Sequence, residues 1–278
     1  MHVLLTIQET NLSKAWARAF LGAQRGGQEF CPFLLSLEGF NEQGPQEIDE
    51  IRDALDNCLE LNDHDGVNTV ANTIFPQSLW HQAKGDRTKL YAEYKEYLPD
   101  YVAMAPSKNR AGLYFARLIG YGICPKDGTQ ESHLPSDRLE QGGNQLEFII
   151  QHCKQGARRA MLQAAIYDPM RDQSGAAQQG FPCLQHLTFV PDFTSETLAL
   201  NAFYASQQLF VKAYGNWLGL IRLGMFVASQ VNLRFSTMNC FAGIEKMDMR
   251  PKSGPELDRL RLAAKAAVEQ ENVEPVLQ

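Results

Sequence analysis

The sequence lacks closely spaced cysteines. Its six cysteines are scattered along 278 residues without a Cys-x-x-Cys pair, which argues against a zinc ribbon and against a disulfide framework. Scattered single thiols are typical of a reducing compartment, so we expect a cytoplasmic protein. An excess of basic residues is also missing. The net charge of −6 disfavours a general nucleic-acid binder, because such a protein needs positive charge to neutralise a phosphate backbone.

Long apolar runs are absent as well. The N-terminus has no basic segment followed by a long apolar one, so no signal peptide is evident. The most apolar helix candidate, residues 212–232, contains lysine, asparagine and arginine, and we expect a core helix and no membrane span. Gly215 and Gly219 lie four residues apart in this segment and predict close packing against a neighbouring element.

Hydrophobic periodicity predicts helices and strands in mixed order. The predicted helices cover residues 11–23, 45–61, 86–97, 145–153, 212–232 and 255–271. The predicted strands cover residues 1–8, 30–37, 113–121, 160–167, 183–190, 198–206 and 233–244. The polar residues 124–143 predict a surface loop. We therefore expect a single domain over residues 1–278, of the α+β class, with a large mixed β-sheet flanked by helices.

Cys183 is the most informative single residue. It follows Pro182 directly and precedes the apolar run Leu187–Val190, which predicts a buried strand. A cysteine at a rigid strand end can serve as a nucleophile, but a free cysteine is more often a buried structural thiol. His186 lies two residues beyond Leu184, and the period of two along a strand favours a core histidine over a base.

Several short motifs, in this order, resemble the thymidylate synthase family. The likeness covers about residues 66–248. It leaves residues 1–65 as a divergent N-terminal part and residues 249–278 as a C-terminal helix and tail. The motifs are Ser78-Leu79-Trp80 with Gly85-Asp86, Asn144-Gln145-Leu146 with Arg158-Arg159, Pro182-Cys183, Tyr204-Ala205-Ser206-Gln207-Gln208 with Gly215-Asn216, and the segment Ala242–Asp248.

The resemblance implies a thymidylate synthase-like fold and a homodimer. It implies that the Cys183 thiolate adds to C6 of a uracil-type pyrimidine nucleotide, so that C5 accepts a one-carbon unit. Arg158 and Arg159 would reach across the dimer to the phosphate, because guanidinium groups bind phosphate bidentately. The remaining implied contacts are Asn216, Ser206, Lys246 and Asp248 to the nucleotide, and Trp80 and Gln208 to methylenetetrahydrofolate.

Several positions depart from the family pattern, and three of them bear most directly on activity. Ala205 replaces a phosphate-binding arginine, and Gln208 replaces an aspartate near the cofactor. Gln77 replaces the catalytic glutamate, and a glutamine cannot act as a general base. We therefore expect a C5 transferase for a non-standard pyrimidine nucleotide. The alternatives are a catalytically impaired nucleotide-binding homologue that serves as a sensor or scaffold, and a structural protein without a ligand.

Overall fold

A computed structural model describes residues 3–26, 29–109, 113–121, 143–156, 158–173, 182–248 and 254–269. The helices are α1 Leu12–Gly26, α2 Asp49–Glu60, α3 Val67–Asn72, α4 Gln77–Ala83, α5 Arg87–Met104, α6 Pro106–Asn109, α7 Tyr114–Ile119, α8 Gln145–Lys154, α9 Pro169–Asp172, α10 Tyr214–Gln230 and α11 Pro255–Glu269. The strands are β1 Leu5–Glu9, β2 Glu29–Phe30, β3 Phe33–Leu37, β4 Gln163–Ala165, β5 Leu184–Asp192, β6 Thr197–Tyr204, β7 Gln207–Gln208, β8 Arg234–Ala242 and β9 Glu245–Lys246.

A six-stranded sheet organises the described chain. Its order is β1-β3-β8-β6-β5-β4, and its pairs are both parallel and antiparallel. A small second sheet has the order β2-β9-β7. The predicted α+β class with a large mixed sheet beside helices is confirmed. The extent of the domain, residues 1–278, stays a prediction.

The two faces of the large sheet differ. Along β6 the side chains of Leu198, Leu200, Ala202 and Tyr204 are buried, and α10 packs on β6 and β8. Between them Asn201 is half-buried and Phe203 is 38% exposed. This alternation, predicted from the sequence, gives the sheet one covered face and one face of half-buried and exposed side chains.

One predicted strand is a helix. Residues 113–121 were expected to be extended, but Tyr114–Ile119 forms α7. Phe115, Leu118 and Ile119 are buried, and Phe115 meets Tyr94 of α5 edge-on at 4.8 Å between ring centroids. A short apolar run fits a buried strand and a buried helix equally well, so periodicity alone does not separate them.

Other boundaries differ from the prediction as well. The predicted strand 160–167 begins with the 3-10 turn Arg159–Met161, and only Gln163–Ala165 pairs in the sheet. The helix predicted from residue 45 begins at Asp49. The predicted loop 124–143 lies outside the described residues except at its last position. The core helix α10 is confirmed, and no described helix is long and apolar enough to cross a membrane.

Close packing of α10 on α3 depends on its glycines. A Cβ atom at Gly215 would lie 2.7 Å from the Val67 carbonyl oxygen, and one at Gly219 would lie 2.7 Å from the Ala71 carbonyl oxygen. Backbone atoms cannot turn aside as a flexible side chain does. The two glycines therefore set how closely the helices approach, as the sequence predicted.

We expect Gly219→Ala to destabilise the fold by about 1–3 kcal/mol, because the added methyl group forces α10 away from α3. Urea denaturation measures the change. Gly22→Ala in α1 is the matched control: its Cβ would meet only side chains, the nearest at 3.3 Å. It should be close to neutral, since alanine favours helix. Equal effects of both substitutions would contradict this account of the helix contact.

Candidate active site

Cys183 lies just before β5, at the end of the large sheet where the neighbouring strands β6 and β8 finish. Its carbonyl oxygen accepts a hydrogen bond from the Ala205 N–H at 3.1 Å, just after β6. The Ala205 carbonyl oxygen accepts one from the Ile244 N–H at 3.2 Å, just after β8. The backbone therefore brings Cys183 together with the two segments that contain Ser206 and Lys246. We call this place the Cys183 edge.

The Cys183 thiol is half-buried and packs against the hydrophobic core. Tyr114 lies beside it, with its hydroxyl against the amide groups of Cys183 and Leu184. Burial raises the pKa of the Cys183 thiol above its ordinary value. The thiol therefore needs a nearby positive charge before it becomes a thiolate at neutral pH.

Asn216 lies in the first turn of α10 and is only 6% exposed. The next residue, Trp217, donates from Nε1 to Gln207 Oε1 at 3.1 Å, and Gln207 pairs with Glu245 between β7 and β9. This chain of contacts ties the start of α10 to the strand segments at the Cys183 edge.

The other predicted nucleotide contacts differ in exposure. Ser206 is half-buried, and Lys246 is exposed. Asp248 is half-buried, and its Oδ1 accepts a hydrogen bond from the Phe210 N–H at 3.1 Å. Burial raises the pKa of Asp248. Asp248 therefore already holds the turn that precedes α10.

Trp80 and Gln77 line a different place, a cleft of about 640 Å³ between α4 and α10. Trp80 meets Phe226 edge-on at 4.9 Å, and Gln77 Nε2 lies 2.9 Å from His81 Nε2. Leu218 of α10 lines the same cleft. Asn216 precedes Leu218 by two residues, which is a rotation of about 200° around a helix, so the cleft and Asn216 lie on opposite sides of α10.

The residues assigned to methylenetetrahydrofolate do not form one pocket. Gln208 is exposed, and it is not among the residues that line the Trp80 cleft. The described arrangement thus does not fit the folate that the resemblance implies.

The arginine pair lies far from the thiol of its own chain. Both side chains are exposed, in and just before the turn that leads to β4. Hydrogen bonds from Ser195 and Thr194 lower the pKa of Asp192, and the positive charge of Arg159 lowers it slightly further. Asp192 ends β5, nine residues beyond Cys183, and nine extended residues span about 30 Å. One chain therefore cannot bring Arg159 to its own Cys183.

The expectation of a core histidine at position 186 is wrong. An irregularity in the pairing of β5 with β6 lies between Leu184 and His186, and Leu184 and Leu187 are buried while His186 is half-buried. A bulge moves the following side chains to the other face. His186 pairs with Phe203 in register, and burial lowers the pKa of its imidazole.

Among the residues that the structure describes, no group of histidine, cysteine, aspartate and glutamate side chains could hold a metal ion. A scan against models of protein families gives no match, and no curated protein matches the sequence. The thymidylate synthase resemblance therefore stays a prediction from the motifs.

A buried ion pair fixes α7, and with it Tyr114. Arg117 donates to both carboxylate oxygens of Asp172, at 2.6 and 2.8 Å, and to the Ile166 carbonyl oxygen at 2.7 Å. Both side chains are almost fully buried. Two charges in such a place depend on each other, because removal of one partner leaves the other buried with less of its charge compensated.

We expect Asp172→Leu to destabilise the fold by roughly 3–5 kcal/mol, since it removes the carboxylate that accepts from both terminal nitrogens of the buried Arg117 guanidinium. The double variant with Arg117→Met should recover much of that loss. Denaturant unfolding measures the two single variants, Asp172→Leu and Arg117→Met, and the double variant. Arg261→Met, which removes an exposed partner of Asp258, is the surface control. If the double variant loses as much as the two single variants together, the pair does not act as a unit.

Proposed function

We propose that this chain is a transferase acting at C5 of a uracil-type pyrimidine nucleotide, through a covalent bond between Cys183 Sγ and C6 of the ring. The observation that carries the proposal is the Cys183 edge. There the thiol, the Ser206 segment and the Lys246 segment are held by consecutive backbone hydrogen bonds, and Asn216 begins the adjacent helix.

The chemistry needs few groups from the protein. The thiolate adds to C6, and the electron pair that leaves the C5–C6 bond makes C5 nucleophilic. C5 then bonds to the carbon of an electrophile at the oxidation level of formaldehyde, whose oxygen takes up a proton. C5 gives its own hydrogen as a proton to water, and the electron pair of that C–H bond re-forms the C5–C6 double bond and expels the thiolate. Transfer at the oxidation level of formaldehyde gives a hydroxymethyl group without any net reduction. No step of this proposal passes through a folate.

Asn216 suits recognition of the ring. Its amide has donors and acceptors, so it can donate to a carbonyl oxygen and accept from a ring N–H at the same time. A nearly buried amide discriminates strongly, because a ring without matching groups leaves it unpaired. Asn216 therefore selects the base in this proposal, and Ser206 and Lys246 contact the rest of the nucleotide.

The proposal requires a homodimer. The pKa of the Cys183 thiol is raised by burial, and the arginine pair of the same chain lies about 30 Å away along β5. A second copy can supply the same pair to bind the phosphate and to favour the thiolate. Arg158 and Arg159 thus serve the site of the other copy.

The less covered face of the large sheet is the surface we assign to the dimer. Asn239 donates to Asn201 at 2.8 Å, and Asn201 donates to Thr188 Oγ1 at 3.1 Å across three neighbouring strands. Phe203 and Phe241 stack on the same face at 5.3 Å. Two such sheets can pack about 10 Å apart, which brings side chains from both into one layer.

One alternative is a nucleotide-binding homologue without turnover. The glutamine at position 77 favours it, because an amide cannot act as a general base. This alternative predicts nucleotide binding without a covalent bond. In either case the five described cysteines that are free suit a reducing compartment, and we propose a cytoplasmic location.

We expect a 5-fluoropyrimidine nucleotide, supplied together with formaldehyde as the one-carbon electrophile, to form a stable covalent adduct with the protein. Once C5 has bonded the carbon unit, its fluorine cannot leave as a cation, so the thiolate is not expelled. Intact-mass spectrometry after denaturation should show one added nucleotide per chain, and peptide mapping should place it on Cys183. Cys183→Ala should abolish the adduct while nucleotide still raises the melting temperature.

Cys31→Ser is the matched control, since Cys31 is also half-buried but lies outside the Cys183 edge. It should retain the adduct in full. A melting temperature that rises with nucleotide, together with no adduct in the wild-type protein, would favour the binding homologue and reject the transferase.

A further inference from the structure

A second group of polar side chains lies behind the Cys183 edge. Tyr204 ends β6, Gln207 lies in β7, and Glu245 lies opposite Gln207 in β9. Glu245 is 0% exposed, and Tyr204 and Gln207 are buried too. Within the described part of the chain, Tyr204 Oη, Gln207 Nε2 and both carboxylate oxygens of Glu245 are buried without a hydrogen-bond partner. We call these three residues the Glu245 cluster.

Such a cluster is costly unless something completes its hydrogen bonds. An unpaired buried polar group costs about 1–3 kcal/mol, and an isolated ionised carboxylate costs considerably more. Native proteins satisfy such groups with ordered water when the protein supplies no partner. Four unpartnered polar atoms on neighbouring strands therefore indicate an enclosed water position.

The charges that face Glu245 are all acidic. Burial is the main cause that raises its pKa well above the ordinary value, and Asp248 raises it further. Cys240 of β8 and Tyr204 of β6 also interact with it electrostatically, and its neighbour Lys246 is exposed. Within the described part of the chain, only desolvation and Asp248 shift the pKa of Glu245, so no described cation compensates a negative carboxylate at this place.

The cluster is connected to the thiol. Tyr204 pairs with Leu184 in register, and it interacts electrostatically with Tyr114, Cys183 and Glu245. An ionised Glu245 would therefore oppose a second negative charge on the sulfur of Cys183. A neutral Glu245 would not.

We propose that Glu245 is a positioning residue of the Cys183 site, a carboxylic acid that keeps its proton at neutral pH and joins Tyr204 and Gln207 through an enclosed water. It deepens the proposed function and rests on Cys183 being the reactive group. Glu245 does not touch the nucleotide. It keeps the interior behind the thiol free of negative charge, and its ionisation at alkaline pH disfavours the thiolate.

The first test is stability against pH. Folding raises the pKa of such a carboxyl group. At a pH between its unfolded-state and folded-state pKa values, the group is ionised in the unfolded state and neutral in the folded state. The wild-type protein therefore loses stability relative to Glu245→Gln as pH rises from the ordinary glutamate pKa of about 4.3 toward the raised value. The ratio of the two unfolding constants should change by up to about tenfold per pH unit between about pH 5 and pH 7.

Glu60→Gln is the control, because Glu60 is exposed at the end of α2. The ratio of its unfolding constant to that of the wild type should not change with pH. A flat ratio for Glu245→Gln as well would overturn the proposal. The wild-type protein offers a second measurement if the variant fails to fold. Infrared spectra with glutamate labelled with carbon-13 at the side-chain carboxyl should show the carbonyl band of a protonated acid at neutral pH, and its absence would overturn the proposal.

The second test is the reactivity of the thiol. Alkylation of Cys183 with iodoacetamide, followed by peptide mass spectrometry, should have a lower pH midpoint in Glu245→Gln than in the wild type. The rate below the midpoint rises by roughly tenfold for each unit by which the thiol pKa falls. An unchanged midpoint would contradict the role of Glu245 at the thiol. A lowered midpoint without any nucleotide adduct would reject the transferase and leave the assignment of Glu245 standing.

Discussion

Backbone hydrogen bonds between three strand ends determine the geometry of the Cys183 edge. The Ala205 N–H binds the Cys183 carbonyl oxygen, the Ile244 N–H binds the Ala205 carbonyl oxygen, and the Gln207 N–H binds the Ile244 carbonyl oxygen at 2.7 Å. These bonds hold a thiol, a serine segment and a lysine segment at fixed spacing without help from side chains. A site built on rigid elements in this way keeps its geometry better than one built on loops.

The direction of the strands then limits what one chain can complete. β4 runs antiparallel to β5, so the arginines that precede β4 lie toward Asp192 and away from Cys183. The thiol is buried enough to resist ionisation, while the cations that would favour the thiolate stand at the opposite end of the strand. The proposed homodimer, with the less covered sheet faces of two copies together, would resolve this separation, because a twofold axis would give each thiol the arginines of the other copy.

Local sequence patterns predicted many of the helices and strands. Features that depend on contacts between distant segments could not be predicted from the sequence. Alternation along residues 198–206 identified β6, and Asp86 and Asn144 cap α5 and α8 through side-chain bonds that such residues favour. Tyr114 was missed, because the apolar run Leu113–Ile119 resembles a strand as much as a helix. Glu245 was also missed. A single acid in a two-residue strand suggests a surface position, and only the contact of β9 with β7 and β2 buries it. The bulge that turns His186 has no signature in the sequence.

The sharing of one site between two copies is tested most directly with mixed dimers. One chain carries Cys183→Ala, the other carries Arg158→Ala with Arg159→Ala, and two different affinity tags select dimers that contain one of each. Each mixed dimer keeps one complete site of two, so we expect about half of the wild-type adduct with a 5-fluoropyrimidine nucleotide, while either altered chain alone gives almost none. Mixed dimers that react no better than the altered chains alone would contradict the account.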